Sequence, residues 1–209
     1  MFILISSGKI IKFGNKFVST GNDIPPEPSD KVIIDGKEYG ICQIGNQYWL
    51  TSDLDLYLED YASNIYQGNG LCYYEYAALN VGIDAKLAEL GITGWRVPTV
   101  TDITNMRDFV KADNNNCSDS NIQNYLFAVD SIDRTTYDKY GLSLRPTGAY
   151  DNSQGIVNTS KYAGNANIGY IDNPNNTSRF YCGNSAGGGW GMGTANGYKV
   201  TVRLVKDVS

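Results

Sequence analysis

The segment that most constrains this fold is the last one. Tyr198, Val200, Val202 and Leu204 alternate with Lys199, Thr201 and Arg203. A period of two is the pattern of a β-strand, in which successive side chains point to opposite faces. The expectation is a strand with one face buried. This strand is expected to close the domain that the preceding elements build. Two further strings stand far upstream, Ile44-Gly45-Asn46-Gln47-Tyr48-Trp49-Leu50 and Gly94-Trp95-Arg96-Val97-Pro98-Thr99. Together with 197–207 they pin one domain at its start, middle and end.

The N-terminal stretch is of another kind. Residues 1–22 read as an arm, with Gly14-Asn15 between two β-prone runs as the turn of a hairpin. A lone hairpin is marginal in water and exposes two edges. Ile10, Ile11, Phe13, Phe17 and Val18 are therefore assigned to anchoring or oligomerisation, against the domain itself, sister chains or a larger assembly. Residues 23–31 carry Pro25, Pro26 and Pro28, which fix φ and remove backbone donors. They read as a semi-rigid spacer, the alternative being an ordinary loop.

The main domain spans 32–209. Short strands are expected at 32–34, 37–44 and 48–50, with turns at Asp35-Gly36 and Gly45-Asn46. Residues 71–78 fit strand or helix. A helix is expected over 83–90, stopped by Gly91. Another is expected over 99–110, capped by Thr99, with Asp102 at its third position and a stripe of Ile103, Met106 and Val110. A third short helix is expected over 120–127. From 140 to 196 Gly, Asn, Ser, Thr and Tyr dominate, the composition of strands joined by long loops. The chain holds 23 Gly and 16 Tyr against 6 Phe, which leans the same way. The order β, helices, β defines an α+β domain.

Composition also excludes chemistry. The chain has no histidine, which removes Ser-His-Asp and Cys-His catalysis and most zinc sites. A net charge of −5 with no basic cluster argues against a nucleic-acid partner. Cys42, Cys72, Cys117 and Cys182 are too far apart for a C-x-x-C motif and are expected as thiols, mostly buried, although three full disulfide pairings exist on paper. The opening Met1-Phe2-Ile3-Leu4-Ile5 is too short for a signal-peptide core, and no stretch approaches the ~18 apolar residues of a membrane span. The expectation is a chain made without export and without a membrane partner.

Five ordered strings carry a family resemblance. They are 44–50 with Leu54 following, 71–78 (Leu-Cys-Tyr-Tyr-Glu-Tyr-Ala-Ala), 94–99 (Gly-Trp-Arg-Val-Pro-Thr), 140–148 (Tyr-Gly-Leu-Ser-Leu-Arg-Pro-Thr-Gly) and 197–207. In these the chain resembles the Fibrobacter succinogenes major paralogous domain, over roughly residues 32–207. The resemblance implies a C-type-lectin-like α+β fold, with terminal strands brought together and long loops displayed from the second half. It implies no catalytic residues. The family is common in surface proteins of Bacteroidetes and occurs in their phages. The chain departs from it by lacking a lipobox, and by carrying Gly169-Tyr170-Ile171-Asp172 where the family has a Trp-Trp-Ser-Ser-type string.

Among candidate site residues, Tyr150, Tyr162, Tyr170, Phe180, Tyr181 and Trp190 are interleaved with Gly, Ser and Asn, the composition of an adaptable binding surface that also suits sugar stacking. The string 187–193 lacks the Lys-Ser/Thr of a phosphate loop and reads as a plastic loop around an exposed Trp190. Asp172, Asn173 and Asn175 are oxygen-rich enough to raise Ca2+, but the same residues are standard turn formers, so no cofactor is assigned. Asp53, Asp55, Glu59 and Asp60 could offer paired carboxylates to a glycan, and read instead as a solvated acidic turn. Cys182 has no base to activate it. Trp95, Arg96 and Pro98, with Trp49 and Arg203, read as structural.

Together with the arm, the resemblance leads to one expectation. It is a non-enzymatic virion protein of a Bacteroidetes phage, a head or tail fibre or decoration, made in the host cytoplasm. Its arm, residues 1–22, would hold capsid or tail proteins, its lectin-like domain would meet host glycans, and three copies would associate. The alternatives are a bacterial cell-surface or secreted binding module and an enzyme acting on glycans.

Overall fold

The structure, a computed structural model, describes residues 11–13, 16–18, 31–129, 131–132, 136–159, 165–172, 175–183, 189–195 and 197–208. Ile10, the Gly14-Asn15 turn, the prolines of the spacer, Tyr162 and Asn173 lie outside the described residues. The chain divides into two compact units, Met1–Asp30 and Lys31–Ser209. In the first, β1 (Ile11–Phe13) and β2 (Lys16–Val18) pair antiparallel, with Ile11 opposite Val18 and Phe13 opposite Lys16. The anchoring role given to Ile11, Phe13, Phe17 and Val18 concerns side chains outside the description.

The second unit begins with a meander of β3 (Lys31–Ile34), β4 (Lys37–Ile44) and β5 (Gln47–Leu50). Asp35 and Gly36 both take positive φ in the first turn, as a type I′ hairpin requires. Next come β6 (Ile65–Gly68) and β7 (Leu71–Tyr74). The ambiguous stretch 71–78 is therefore both types in turn: strand to Tyr74, then a π-helical segment, Ala78–Gly82, that runs into α1 (Ile83–Glu89). Helix α1 stops where the sequence places its end. Gly91 takes a φ of 71° while its N–H reaches Ala88 O and the Ile92 N–H reaches Leu87 O, the paired bonds of a Schellman cap.

Helix α2 (Val100–Ala112) starts at Thr99 with both halves of a capping box, and buries Ile103, Met106 and Val110. The expected third helix is broken in two: a 3-10 turn at Asp119–Asn121, then α3 (Gln123–Leu126). After it come β8 (Ala149–Asp151), β9 (Gly155–Val157), β10 (Asn165–Tyr170), β11 (Ser178–Gly183), β12 (Gly189–Thr194), β13 (Tyr198–Val200) and β14 (Val205–Asp207). In this unit the strands form sheets ordered β14-β5-β4-β3, β6-β7-β13-β8-β9 and β10-β11-β12. The class is α+β.

Two apolar clusters fill the unit. Leu50, Leu54, Tyr74, Leu79, Ile83, Val200, Val202 and Leu204 belong to one, which packs α1 against the strands of two sheets. The other gathers Trp49, Ile103, Met106, Leu126, Ile168, Phe180 and Val205, between α2, α3 and one face of β10–β12.

The C-terminal segment departs from the expectation of one buried face. Lys199, Thr201 and Arg203 are as buried as the apolar residues they alternate with. The strand is interrupted after Val200, and 201–204 crosses from one sheet toward another. Thr201 bridges Ile168, Leu54 N–H donates to Val202 O and Leu50 N–H to Leu204 O, and β14 then pairs with β5. Both faces of this crossing are covered, so each polar side chain needs an internal partner. Lys199 Nζ donates to Ser63 O at 2.9 Å and meets Glu75 Oε2 at 3.2 Å. Thr201 Oγ1 donates to Asn167 O at 3.1 Å. Arg203 donates from Nε to Asp53 Oδ1 at 2.7 Å and from its terminal nitrogens to the carbonyls of Thr51, Leu142 and Ser143. This corrects the acidic-turn reading as well. Asp53 is buried against Arg203, and Asp55 is paired with Lys37 and accepts from Cys72 Sγ. Only Glu59 and Asp60 of that group are exposed.

Two of the three strings meet on one carboxylate, and the third joins them through Arg96. Asp102 accepts from Arg96 and from the Thr99 N–H and O–H, and Gln47 Nε2 donates to it at 2.8 Å. Arg96 also reaches Asp207 at 3.2 Å, and its backbone exchanges two hydrogen bonds with Val205. Start, middle and end of the domain are thus tied at the N-terminus of α2. Burial alone would raise the Asp102 carboxyl, but the bonds from Arg96 and Thr99 outweigh it and hold the group below its ordinary value of 3.8. A carboxyl depressed in the folded state contributes stability above its unfolded pKa and loses it as pH falls through the folded value. In urea titrations, Asp102→Asn is expected to cost about 1–3 kcal/mol at neutral pH. It should also flatten the loss of stability below about pH 4. An acid limb unchanged by the substitution would show that other carboxylates carry it.

Candidate functional site

The clearest two-sided element is the sheet β10-β11-β12. Its register sets Ile168 opposite Phe180 and Phe180 opposite Met192, while Cys182 faces Trp190. This side packs into the core with α2 and α3. The other side sets Gly169 opposite Arg179, Arg179 opposite Gly193, Asn167 opposite Tyr181, and Tyr181 opposite Gly191. The string Gly189-Trp190-Gly191-Met192-Gly193 is therefore a strand with period two, apolar on the core side and bare on the other. A Cβ at Gly191 would lie 2.2 Å from the Tyr181 ring, so only glycine lets that ring lie over β12. A Cβ at Gly193 would meet nothing within 4 Å.

On this glycine floor stand Arg179 and Tyr181, and Tyr198 approaches from β13 of the neighbouring sheet. Arg179 donates from its terminal nitrogen to Asn167 Oδ1 at 2.6 Å, and Asn167 itself is fully buried. The guanidinium carbon lies 5.5 Å from the ring centroids of both Tyr181 and Tyr198, within cation–π range of each. Tyr181 is 37% exposed. Burial pushes the Arg179 guanidinium below its ordinary range, against the opposing pull of the two tyrosines. No carboxylate among the described residues pairs with it, and its Nε is buried without a hydrogen-bond partner. The patch has the donors and rings of a binding surface. Among the described residues it has no nucleophile or general base for a reaction.

The structure redistributes the six aromatic residues singled out from sequence. Tyr181 is on this face. Tyr170 and Phe180, at 3% and 1% exposure, are core side chains, which corrects their assignment to a ligand. Trp190 is not exposed either. It packs on the core, stacked on Phe180 at a centroid distance of 4.7 Å, because it lies on the apolar parity of β12. Tyr150 belongs to another sheet and is stacked on Tyr66 at 3.7 Å. Arg179 and Tyr198 were not singled out as ligand residues. Their signal was the parity of the glycines at 189, 191 and 193, which becomes informative only with the cross-strand register.

Other candidates are less organised. Asp172 and Asn175 are exposed, and the described residues contain no group of three His, Cys, Asp or Glu arranged to hold a metal. A cleft of about 560 Å³ is lined by Asp35, Tyr57, Glu59, Asp60, Lys86 and Glu89, among others. Its carboxylates are exposed and Lys86 is engaged with Glu89 at 2.7 Å, an arrangement that hydration satisfies. The four cysteines are thiols, of which Cys72 and Cys182 are buried and Cys42 and Cys117 half-buried. Burial pushes the Cys42 thiol up to about 12, far from a nucleophile's range. No helix among the described residues is long and apolar enough to cross a membrane. In comparisons with known proteins, no family model, curated protein or solved structure matches the chain.

Proposed function

We propose that the chain is a non-enzymatic phage virion protein, a head or tail fibre or decoration, whose residues 32–209 form a C-type-lectin-like domain that binds host-surface glycans. The observation that carries the binding reading is the glycine-floored face with Arg179, Tyr181 and Tyr198. An exposed ring and a guanidinium with no carboxylate partner among the described residues, both fixed by their neighbours, offer stacking and hydrogen bonding at low entropic cost. The lectin-like reading draws support from the closure of the domain, in which β14 returns beside β5 in the sheet that begins with β3. It also draws support from the meeting of three resemblance strings through Arg96 and Asp102. The virion assignment rests on the resemblance and on the hairpin arm, which would present several copies together. Weak single-site contacts then gain by avidity.

The test is retention of the full chain on a panel of immobilised bacterial surface polysaccharides, neutral and acidic. Binding to at least one is expected, with a loss of up to about tenfold per site on Tyr181→Ala. A protein that binds nothing on the panel is not a glycan receptor. Mass spectrometry of purified particles decides the virion assignment separately.

A further inference from the structure

We propose that Arg179 is a carboxylate subsite, and that the saccharide taken by this face is acidic, a pyranose whose carboxylate meets the guanidinium while its ring lies against Tyr181. The inference rests on the glycan-binding reading and names the class of ligand. The buried cations Lys199 and Arg203 show what the half-buried Arg179 lacks. Lys199 holds Glu75 and Arg203 holds Asp53. Among the described residues Arg179 has only the neutral amide oxygen of Asn167 and the rings of Tyr181 and Tyr198. A half-buried cation without a counter-charge carries part of the desolvation cost of a buried one, and a bound anion offsets it.

The geometry leaves the right part of the group available. With Nε buried and one terminal nitrogen donating to Asn167, the N–H groups that remain for a carboxylate are those of the terminal nitrogens. The hydrogen bond to buried Asn167 holds the guanidinium in place before any ligand arrives. Gly193, opposite Arg179 in the register, leaves open space where any other residue would place a side chain. The net charge of −5 sharpens the inference. A polyanion is repelled by the chain as a whole, so its retention reports a local cation rather than a basic patch.

The experiment uses the full chain and pairs of polymers: polygalacturonate, alginate and hyaluronan, each beside its carboxyl-reduced form, with poly-L-glutamate as the acidic peptide. Biolayer interferometry gives the affinities, and thermal melts establish that each variant is folded. Wild-type protein is expected to bind at least one acidic polysaccharide and to lose about tenfold or more when its carboxylates are reduced. Arg179→Gln should lose as much, with Arg179→Lys between, since lysine keeps the charge and loses the planar guanidinium. Equal binding of a polymer and its reduced form, or Arg179→Gln with undiminished binding, overturns the carboxylate subsite and leaves the glycan-binding reading intact. Poly-L-glutamate bound as tightly as the acidic polysaccharides overturns the sugar class. If no polysaccharide of this set or of the wider panel binds, both readings fall together.

Discussion

Arg203→Met is expected to destabilise the domain by about 3–5 kcal/mol, the cost of removing one partner of a buried ion pair. The side chain is 3% exposed, and Asp53 opposite it is 6% exposed. Removing the guanidinium leaves the Asp53 carboxylate buried without its cation. It also strips the donors from the carbonyls of Thr51, Leu142 and Ser143, which tie the end of β5 and the segment after α3 to the end of the chain. Urea denaturation followed by tryptophan fluorescence measures the loss directly. For a domain of this size it corresponds to a drop in Tm of about 10 °C. The double variant Arg203→Met, Asp53→Leu should recover part of the loss, since no charge then remains uncompensated. A single variant that costs under about 1 kcal/mol would mean that water reaches Asp53, and the crossing of the C-terminal segment would not be the sealed structure described above.

That crossing also marks where sequence reading runs out. The apolar parity of 198–204 was legible, because Tyr198, Val200, Val202 and Leu204 do share one cluster. The burial of the other parity was not legible. Its partners Glu75, Asp53 and Asn167 stand 124, 150 and 34 residues away, and a local period cannot see across such distances. Elements set by local chemistry were read closely. The capping box of α2, the Gly91 stop of α1 and the Asp35-Gly36 turn depend on residues within one turn of each other. The site was read in part. Gly and Asn across 140–196 suggested loops, yet Asn165, Asn167 and Gly169 alternate with Ala166, Ile168 and Tyr170, and glycine alternates with Trp190 and Met192. Here glycine and asparagine occupy the polar parity of strands. Aromatic residues on the other parity read as surface from composition because their neighbours are small and polar. Parity, rather than composition, was the signal that separates Phe180 from Tyr181.

Those two residues should therefore answer substitution in opposite ways. Phe180→Ala removes a ring that is 1% exposed and stacked on Trp190, and a cavity of that kind typically costs about 3–5 kcal/mol. Tyr181→Ala removes a ring that projects from the glycine floor, and its cost to stability should stay below about 1 kcal/mol. Binding should follow the reverse order. Well below the melting temperature of each variant, Phe180→Ala should keep the polysaccharide affinity of the folded fraction, while Tyr181→Ala should lose it. Gly191→Ala provides a control that leaves the tyrosine in place, because a Cβ at that position meets its ring at 2.2 Å and forces it off β12. It should weaken binding as Tyr181→Ala does. Denaturation curves and interferometry on the same samples separate the two effects. If Phe180→Ala proves as stable as wild type and fails to bind, the register of β11 places the wrong face outward. The ligand would then meet Phe180, Trp190 and Met192, and Arg179 with its two tyrosines would be a structural cluster.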